Sequence, residues 1–268
     1  MTTHREQFLN QCACIDFETT SLEPEEAEII EQGISVYEDG NWTVATSMLH
    51  DCKAPDVPAE ASAVNNITKP MLKGYGPFSL DNFGLLSIKP HRNILISHNV
   101  KYDSMVLKNY VDPETFEALS SNWLCSYRMA KKLYVNRPEY KSLSLAYLRY
   151  RRKLCEFVKI PTEPHRAGYD SYINGLLLED IIDILEEANI LDKDKPYFGQ
   201  LKDWLKPPIM LEYMPGFGKH AGERLDELDF GYLKWVFENT DRCDEDSPEY
   251  DIDLATTLAG YMAKAYKG

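Results

Sequence analysis

The segment Cys12-Ala13-Cys14-Ile15-Asp16-Phe17-Glu18-Thr19 constrains this chain more than any other. It is apolar enough to be a core strand, and side chains along a strand alternate between two faces. Ala13, Ile15 and Phe17 then share one face, and Cys12, Cys14, Asp16 and Glu18 share the other. Asp16 and Glu18 leave the same side of a largely apolar strand with Cα atoms ~7 Å apart. Carboxylates so placed repel each other and lose solvation unless a cation joins them. Hard oxygen donors point to Mg²⁺ or Mn²⁺. An isolated D-x-E is a weak signal, however. The same spacing recurs at Asp244/Asp246 and Asp251/Asp253, in an acidic stretch expected to face water.

Further acids occupy a similar kind of position. Ser97-His98-Asn99-Val100-Lys101-Tyr102-Asp103 follows a short apolar strand, Asn93 to Ser97. Asn99 can cap the next helix. Asp103 stands at the head of a stripe continued by Val106, Leu107 and Tyr110, which share one helix face. Pro164-His165-Arg166-Ala167-Gly168-Tyr169-Asp170 repeats the arrangement, with Ile173, Leu177, Ile181 and Ile184 following Asp170 at helical spacing. His165 falls just before that helix, on a loop. Taken singly, these are a solvated loop histidine and acids that complement a helix dipole. Taken together, they repeat one unusual placement: an acid at the edge of a core element, where an apolar residue is expected.

Alternation and turn chemistry predict strands over Cys12–Glu18, Glu28–Tyr37 and Asn41–Leu49, the last two joined by a hairpin at Asp39-Gly40. Ala54–Ala63 reads as a Pro- and Ala-rich loop and Thr68–Leu72 as a short helix. Helical spacing covers Tyr102–Tyr110, Cys125–Leu133, Ser144–Cys155 and Ala167–Ala188. Strands followed by alternating helices predict a mixed α/β sheet. Pro196, Pro207 and Pro208 interrupt the pattern. The expected division is therefore a domain over 8–192, a linker over 193–210 and a small module over 211–268. In that module Tyr232, Trp235, Val236 and Phe237 form a short helix with an aromatic face. Gly216-Phe217-Gly218-Lys219 lacks the spacing of a phosphate-binding loop.

The 268 residues include 43 acids and 29 bases, a net charge of −14, which argues against nucleic-acid binding by bulk attraction. The distribution softens that objection, because Arg128 to Lys153 carries nine bases against the single acid Glu139. Such a band can grip a phosphate backbone or can simply be a solvated face. No apolar run approaches the ~18 residues needed to cross a bilayer, so no membrane partner is expected. The first residues are polar and lack the apolar centre of a signal peptide. The six cysteines form no C-x-x-C pair, so reduced thiols in a cytoplasm are expected and a zinc site is not.

Asp16-Phe17-Glu18-Thr19, then His98-Asn99 leading to Tyr102-Asp103, then His165 ahead of Asp170, together resemble the three motifs of the DEDDh (DnaQ-like) 3′→5′ exonuclease family. The resemblance extends over nearly the whole chain, through Trp123–Leu133 and Arg151–Leu154. A tail block, Phe217–Gly222 with Gly231–Trp235, narrows it to one branch. It departs at Asn65, where the family pattern has a histidine near the terminal nucleotide. What the resemblance implies is an RNase H-like α/β exonuclease fold, a mixed central sheet flanked by helices, with a small C-terminal module. The implied reaction is 3′→5′ hydrolysis of phosphodiesters, releasing nucleoside 5′-monophosphates, with two Mg²⁺ or Mn²⁺ ions ~3.5–4 Å apart. Asp16 would bridge both ions, Glu18 and Asp170 would complete the site that activates water, and Asp103 would support the second ion. His165 would be the general base, since imidazoles take up protons near neutrality.

The resemblance also implies substrate contacts from Thr19, Thr20, Leu22, Asn99 and Tyr102 around the cleft, and from Arg149, Arg151 and Arg152 upstream of the cut. Leu22 is either an apolar wedge against the last base or ordinary loop packing. DNA, as single strands or as 3′ ends of a duplex, is the substrate this favours. RNA trimming by the same chemistry stays open, because discrimination rests on contacts to the 2′-position. An inactive nucleic-acid-binding adaptor is the remaining alternative. Docking of another protein on the C-terminal module is open too.

Overall fold

The computed structural model describes residues 2–87, 92–154 and 164–265. Five strands form one mixed sheet: β1 (Cys12–Thr19), β2 (Ile29–Glu38), β3 (Asn41–Leu49), β4 (Ile94–Ser97) and β5 (Trp123–Cys125), in the order β3-β2-β1-β4-β5. β1 runs antiparallel to β2 and parallel to β4. β2–β3 is the expected hairpin, turning at Asp39 and Gly40, both with positive φ. β2 is buried on both faces almost throughout, whereas β3 at the edge alternates exposed and covered positions.

The helices are α1 (His4–Gln11), α2 (Ala59–Asn65), α3 (Lys69–Leu72), α4 (Val100–Lys108), α5 (Pro113–Ser120), α6 (Ser126–Tyr134), α7 (Leu145–Arg151), α8 (Ala167–Glu187), α9 (Tyr197–Leu205), α10 (Phe230–Asn239) and α11 (Ile252–Ala265). Ala13, Ile15 and Phe17 pack with Val106, Leu107 and Phe83 in one core, so this face of β1 lies against α4. The opposite face receives α8. Gly33 on β2 permits that approach: a Cβ there would stand 2.0 Å from the carbonyl carbon of Ala167. Gly175 does the same against the Trp42 ring, 2.4 Å from where its Cβ would be.

Some sequence expectations change. Ala59–Asn65 is a helix, not loop, because its Ala-rich composition favours one and Asn66 ends it in a left-handed conformation with φ 58°. The helix expected over Ser144–Cys155 stops at Arg151, where Lys153 turns left-handed with φ 56°, and Cys155 lies outside the described residues. Asn99 occupies the cap position of α4, but its side chain makes no capping bond. The presumed linker contains α9, with Tyr197 and Leu201 buried; its prolines flank the helix instead of breaking it.

The chain divides into two compact units, residues 1–129 with 142–201, and residues 130–141 with 202–268. The second unit has its own core, in which Leu211, Leu225, Leu233, Val236, Leu254 and Leu258 are buried. Asp253 belongs to that interior and does not face water. It is 0% exposed, accepts the Ile209 N–H at 2.7 Å, and pairs with Lys131 at 2.8 Å. A buried carboxylate is tolerated only with such partners. No described helix is long and apolar enough to cross a membrane.

Candidate active site

β1 and β4 run parallel, and α4 starts where β4 ends. Ligand sites in α/β sheets form at such carboxyl ends. Asp16 and Glu18 lie toward that end of β1, and a register shift between Glu18 and Thr19 marks where regular pairing ends. Asp103 sits in the first turn of α4 and Asp170 in the first turn of α8. Among the described residues, Asp16, Glu18 and Asp170 form a group in which one carboxylate oxygen from each lies within 4.8 Å of the others.

The carboxyls of this cluster are crowded and largely desolvated. Burial, then repulsion from Glu18, Asp170 and Asp103, raises Asp16 well above the usual carboxylate range. Burial and Asp170 raise Glu18 to about 8. Burial raises Asp103 to about 7, against the pull of Ser97 and the Asn99 backbone. Burial raises Asp170 to about 6, while His165 and Arg149 pull it down. Burial is the main reason each acid resists ionising, and at Asp16 and Glu18 the neighbouring carboxylates add to it. All the donors are hard oxygens, so the residues fit a divalent cation such as Mg²⁺ or Mn²⁺.

His165 is exposed on the loop ahead of α8, in a left-handed conformation with φ 61°. His98 is different. Its ring bonds the Ser126 hydroxyl at 2.9 Å and the Leu143 carbonyl at 2.8 Å, and burial lowers it to about 4. It is a neutral framework group.

A cleft of about 640 Å³ beside β1 is lined by Glu18, Thr19, Leu22, Val64, Asn65 and Tyr102, among others. Leu22 is 84% exposed, projecting into solvent. The hydroxyls of Thr19 and Tyr102 approach to 2.5 Å and both reach the Ser21 carbonyl, tying the turn after β1 to α4. Thr20 is buried and its hydroxyl accepts the Glu28 N–H. Asn65 is buried at the cleft wall, where it donates to the Thr19 carbonyl and accepts the Ile67 N–H. Asn99 is exposed at the head of α4.

The basic band divides between the two units. Lys131, Lys132, Arg137 and Lys141 belong to the second unit, where Lys131 is consumed by Asp253 and Lys132 by the Trp204 carbonyl. In the first unit Arg152 makes a two-pronged pair with Asp180 at 2.8 Å on each prong. Arg149 lies over the rings of Tyr150 and Tyr169 and acts on Asp170. Arg151 is exposed at the end of α7.

Sequence reasoning missed Glu31. It is 0% exposed, stands directly opposite Glu18 in the β1–β2 ladder, and takes both prongs of Arg166. Its weak signal in the sequence was that it is the only charge in the Ile29–Val36 stretch of β2.

The exonuclease family known as RNase_T matches residues 13–178, more than half of the chain. The chain belongs to this exonuclease family. Exodeoxyribonuclease 10 of Escherichia coli strain K12 is 28% identical over 261 residues, spanning 92% of this chain and 97% of that protein. The crystal structure of E. coli exonuclease I with a dT13 oligonucleotide superposes with a TM-score of 0.52 at 15% identity, over 66% of this chain and 42% of that one. Exonuclease X, solved with 5′ overhanging duplex DNA, superposes with a TM-score of 0.48 at 23% identity, over 70% and 98%. The sheet and its flanking helices are the RNase H-like fold, in a DEDDh, DnaQ-like exonuclease. The chain is a metal-dependent exonuclease, a hydrolase.

Proposed function

We propose that this chain is a 3′→5′ exodeoxyribonuclease that hydrolyses DNA from its 3′ end and releases nucleoside 5′-monophosphates. The observation that carries this reading is the convergence of Asp16, Glu18 and Asp170, with Asp103 buried close by and His165 on the loop that begins α8. The similarity to exodeoxyribonuclease 10 over nearly the full length of both proteins supports DNA as the substrate.

Asp16, Glu18, Asp103 and Asp170 would hold two divalent ions. When bound, such ions stabilise the charge that builds on the attacking and leaving oxygens of the displacement. The chain's own residues do the rest. His165 takes the proton from the attacking water as its oxygen bonds to phosphorus, and the bond from phosphorus to the 3′-oxygen breaks. The leaving 3′-oxygen takes a proton from solvent water, so the products are a nucleoside 5′-monophosphate and a strand with a new 3′-hydroxyl. Leu22 and Tyr102, with Thr19 and Thr20 holding the turn beneath them, border the cleft that receives the terminal nucleotide. Asn99 lies at its edge. Arg149 and Arg151 meet the backbone upstream, while Arg152 supports α7 through Asp180.

The test is one assay with end-labelled single-stranded DNA, duplex DNA and RNA, in Mg²⁺ and in EDTA. Mononucleotides released from DNA 3′ ends only with Mg²⁺ are expected. Faster loss of RNA would replace the DNA reading with an RNA-trimming one. No cleavage of any substrate would leave a nucleic-acid-binding protein.

A further inference from the structure

Glu18 and Glu31 stand directly opposite each other on β1 and β2, so both carboxylates leave the sheet on the same face. Like charges in that position destabilise a sheet. Glu31 is also fully buried, which is costly for an unpaired carboxylate. The structure answers with a dense set of donors. Arg166 gives Nε to Oε2 at 2.9 Å and Nη2 to Oε1 at 2.8 Å. The Ala167 N–H adds a bond to Oε2 at 3.1 Å, and the Ser47 hydroxyl one to Oε1 at 3.2 Å. The Arg166 cation also pulls Glu18 down against its acidic neighbours.

The placement of this pair matters more than its strength. Arg166 is the cap residue of α8, and His165 precedes it directly in a left-handed conformation. Asp170 follows one turn into the helix. Glu31 therefore grips, from the middle of the sheet, the backbone joint between the histidine and the helix that carries Asp170. Gly33, two residues along β2, lets that joint press against the strand. α8 is held along its length by its apolar stripe, so Asp170 has independent support. His165, exposed on a loop, has none of that packing.

We infer that Glu31 and Arg166 are positioning residues of this exonuclease, a fork anchored on a buried carboxylate that fixes His165 in reach of the attacking water. The inference rests on the proposed role of His165 as base. Lysine cannot substitute for Arg166 at such a site, because a single point charge does not reproduce a planar two-pronged contact.

The experiment is a double-mutant cycle. Arg166→Lys is made in the wild-type chain and in His165→Ala, and single-turnover cleavage of labelled single-stranded DNA is measured in saturating Mg²⁺. Mn²⁺ binding is measured by calorimetry on the same proteins. In the wild-type background Arg166→Lys should slow turnover by roughly 10–100-fold and leave Mn²⁺ affinity unchanged. In the His165→Ala background it should cost little more, since the group it positions is gone. Equal losses in both backgrounds, or a loss of Mn²⁺ affinity that matches the loss of rate, would make the pair a structural support only. Glu31→Gln keeps the shape and an acceptor for the fork, and carries the same test where the lysine variant does not fold. Full activity of His165→Ala itself would remove the base assignment, and that result is read before either fork variant is made.

Discussion

At the scale of single residues, the acids and the histidine of one site are built on different supports and should fail differently. Asp170 projects from a long helix with a buried stripe, and its carboxyl lies with Asp16 and Glu18. Asp170→Asn is expected to weaken Mn²⁺ binding and cleavage together, and Asp16→Ala nearly to abolish both. His165 sits outside that cluster on its loop. His165→Ala is expected to keep metal and DNA affinity and to lose roughly 10²–10⁴ in turnover, the usual range for a general base. Calorimetry beside single-turnover kinetics separates the two. If His165→Ala loses metal as badly as Asp170→Asn, the histidine is a ligand or a support instead. Candidate residues were legible here where an acid broke an apolar pattern, as at Asp16 and Asp170, which the structure brings together. Glu31 was not, because a lone acid in a strand acquires meaning only when the register sets it against Glu18.

At the scale of elements, the site depends on how closely α8 lies on β2. Gly33 meets backbone, not a flexible side chain: its absent Cβ would stand 2.0 Å from the Ala167 carbonyl and 2.3 Å from the Gly168 nitrogen. Neither side can yield without moving a strand or a helix. Gly33→Ala should destabilise the protein by about 1–3 kcal/mol, the usual cost of overpacking. Mn²⁺ affinity should also fall, as Asp170 is carried away from Asp16 and Glu18. Urea unfolding and calorimetry read the two effects. Unchanged stability would mean that α8 has room the structure does not show.

At the scale of the whole molecule, the buried acids link stability to pH and to metal. Glu18, Asp103 and Asp170 titrate at about 8, 7 and 6 in the folded chain without metal, and Asp16 is raised as well. In an unfolded chain such groups titrate near 4. The folded state thus binds more protons, so stability falls as pH rises through the folded values. Between pH ~6 and ~8 the melting temperature in EDTA should drop. Saturating Mg²⁺, which binds the ionised acids of the folded state, should raise it most at the upper end. Binding near pH 6 should release protons, visible as a dependence of the calorimetric heat on buffer ionisation. A melting temperature that rises with pH in EDTA would contradict the raised acids described above.

The sequence by itself determined the first three strands, several of the helices and the kind of chemistry. Local alternation and helical spacing are written residue by residue, and an acid that interrupts them is visible without a fold. Four such acids and a histidine, in family order, carried the site. Only the tertiary structure decided which charges meet. The basic run from Arg128 to Lys153 reads as one band along the chain, yet its members divide between two units, and Lys131 and Arg152 are spent on Asp253 and Asp180. Asp253 reads as a surface acid and is buried. Glu31 and Arg166 lie far apart in the chain and meet in a two-pronged ion pair at the start of α8. Pairings between distant residues depend on register and on the approach of one element to another. Those are properties of packing, which no local pattern encodes.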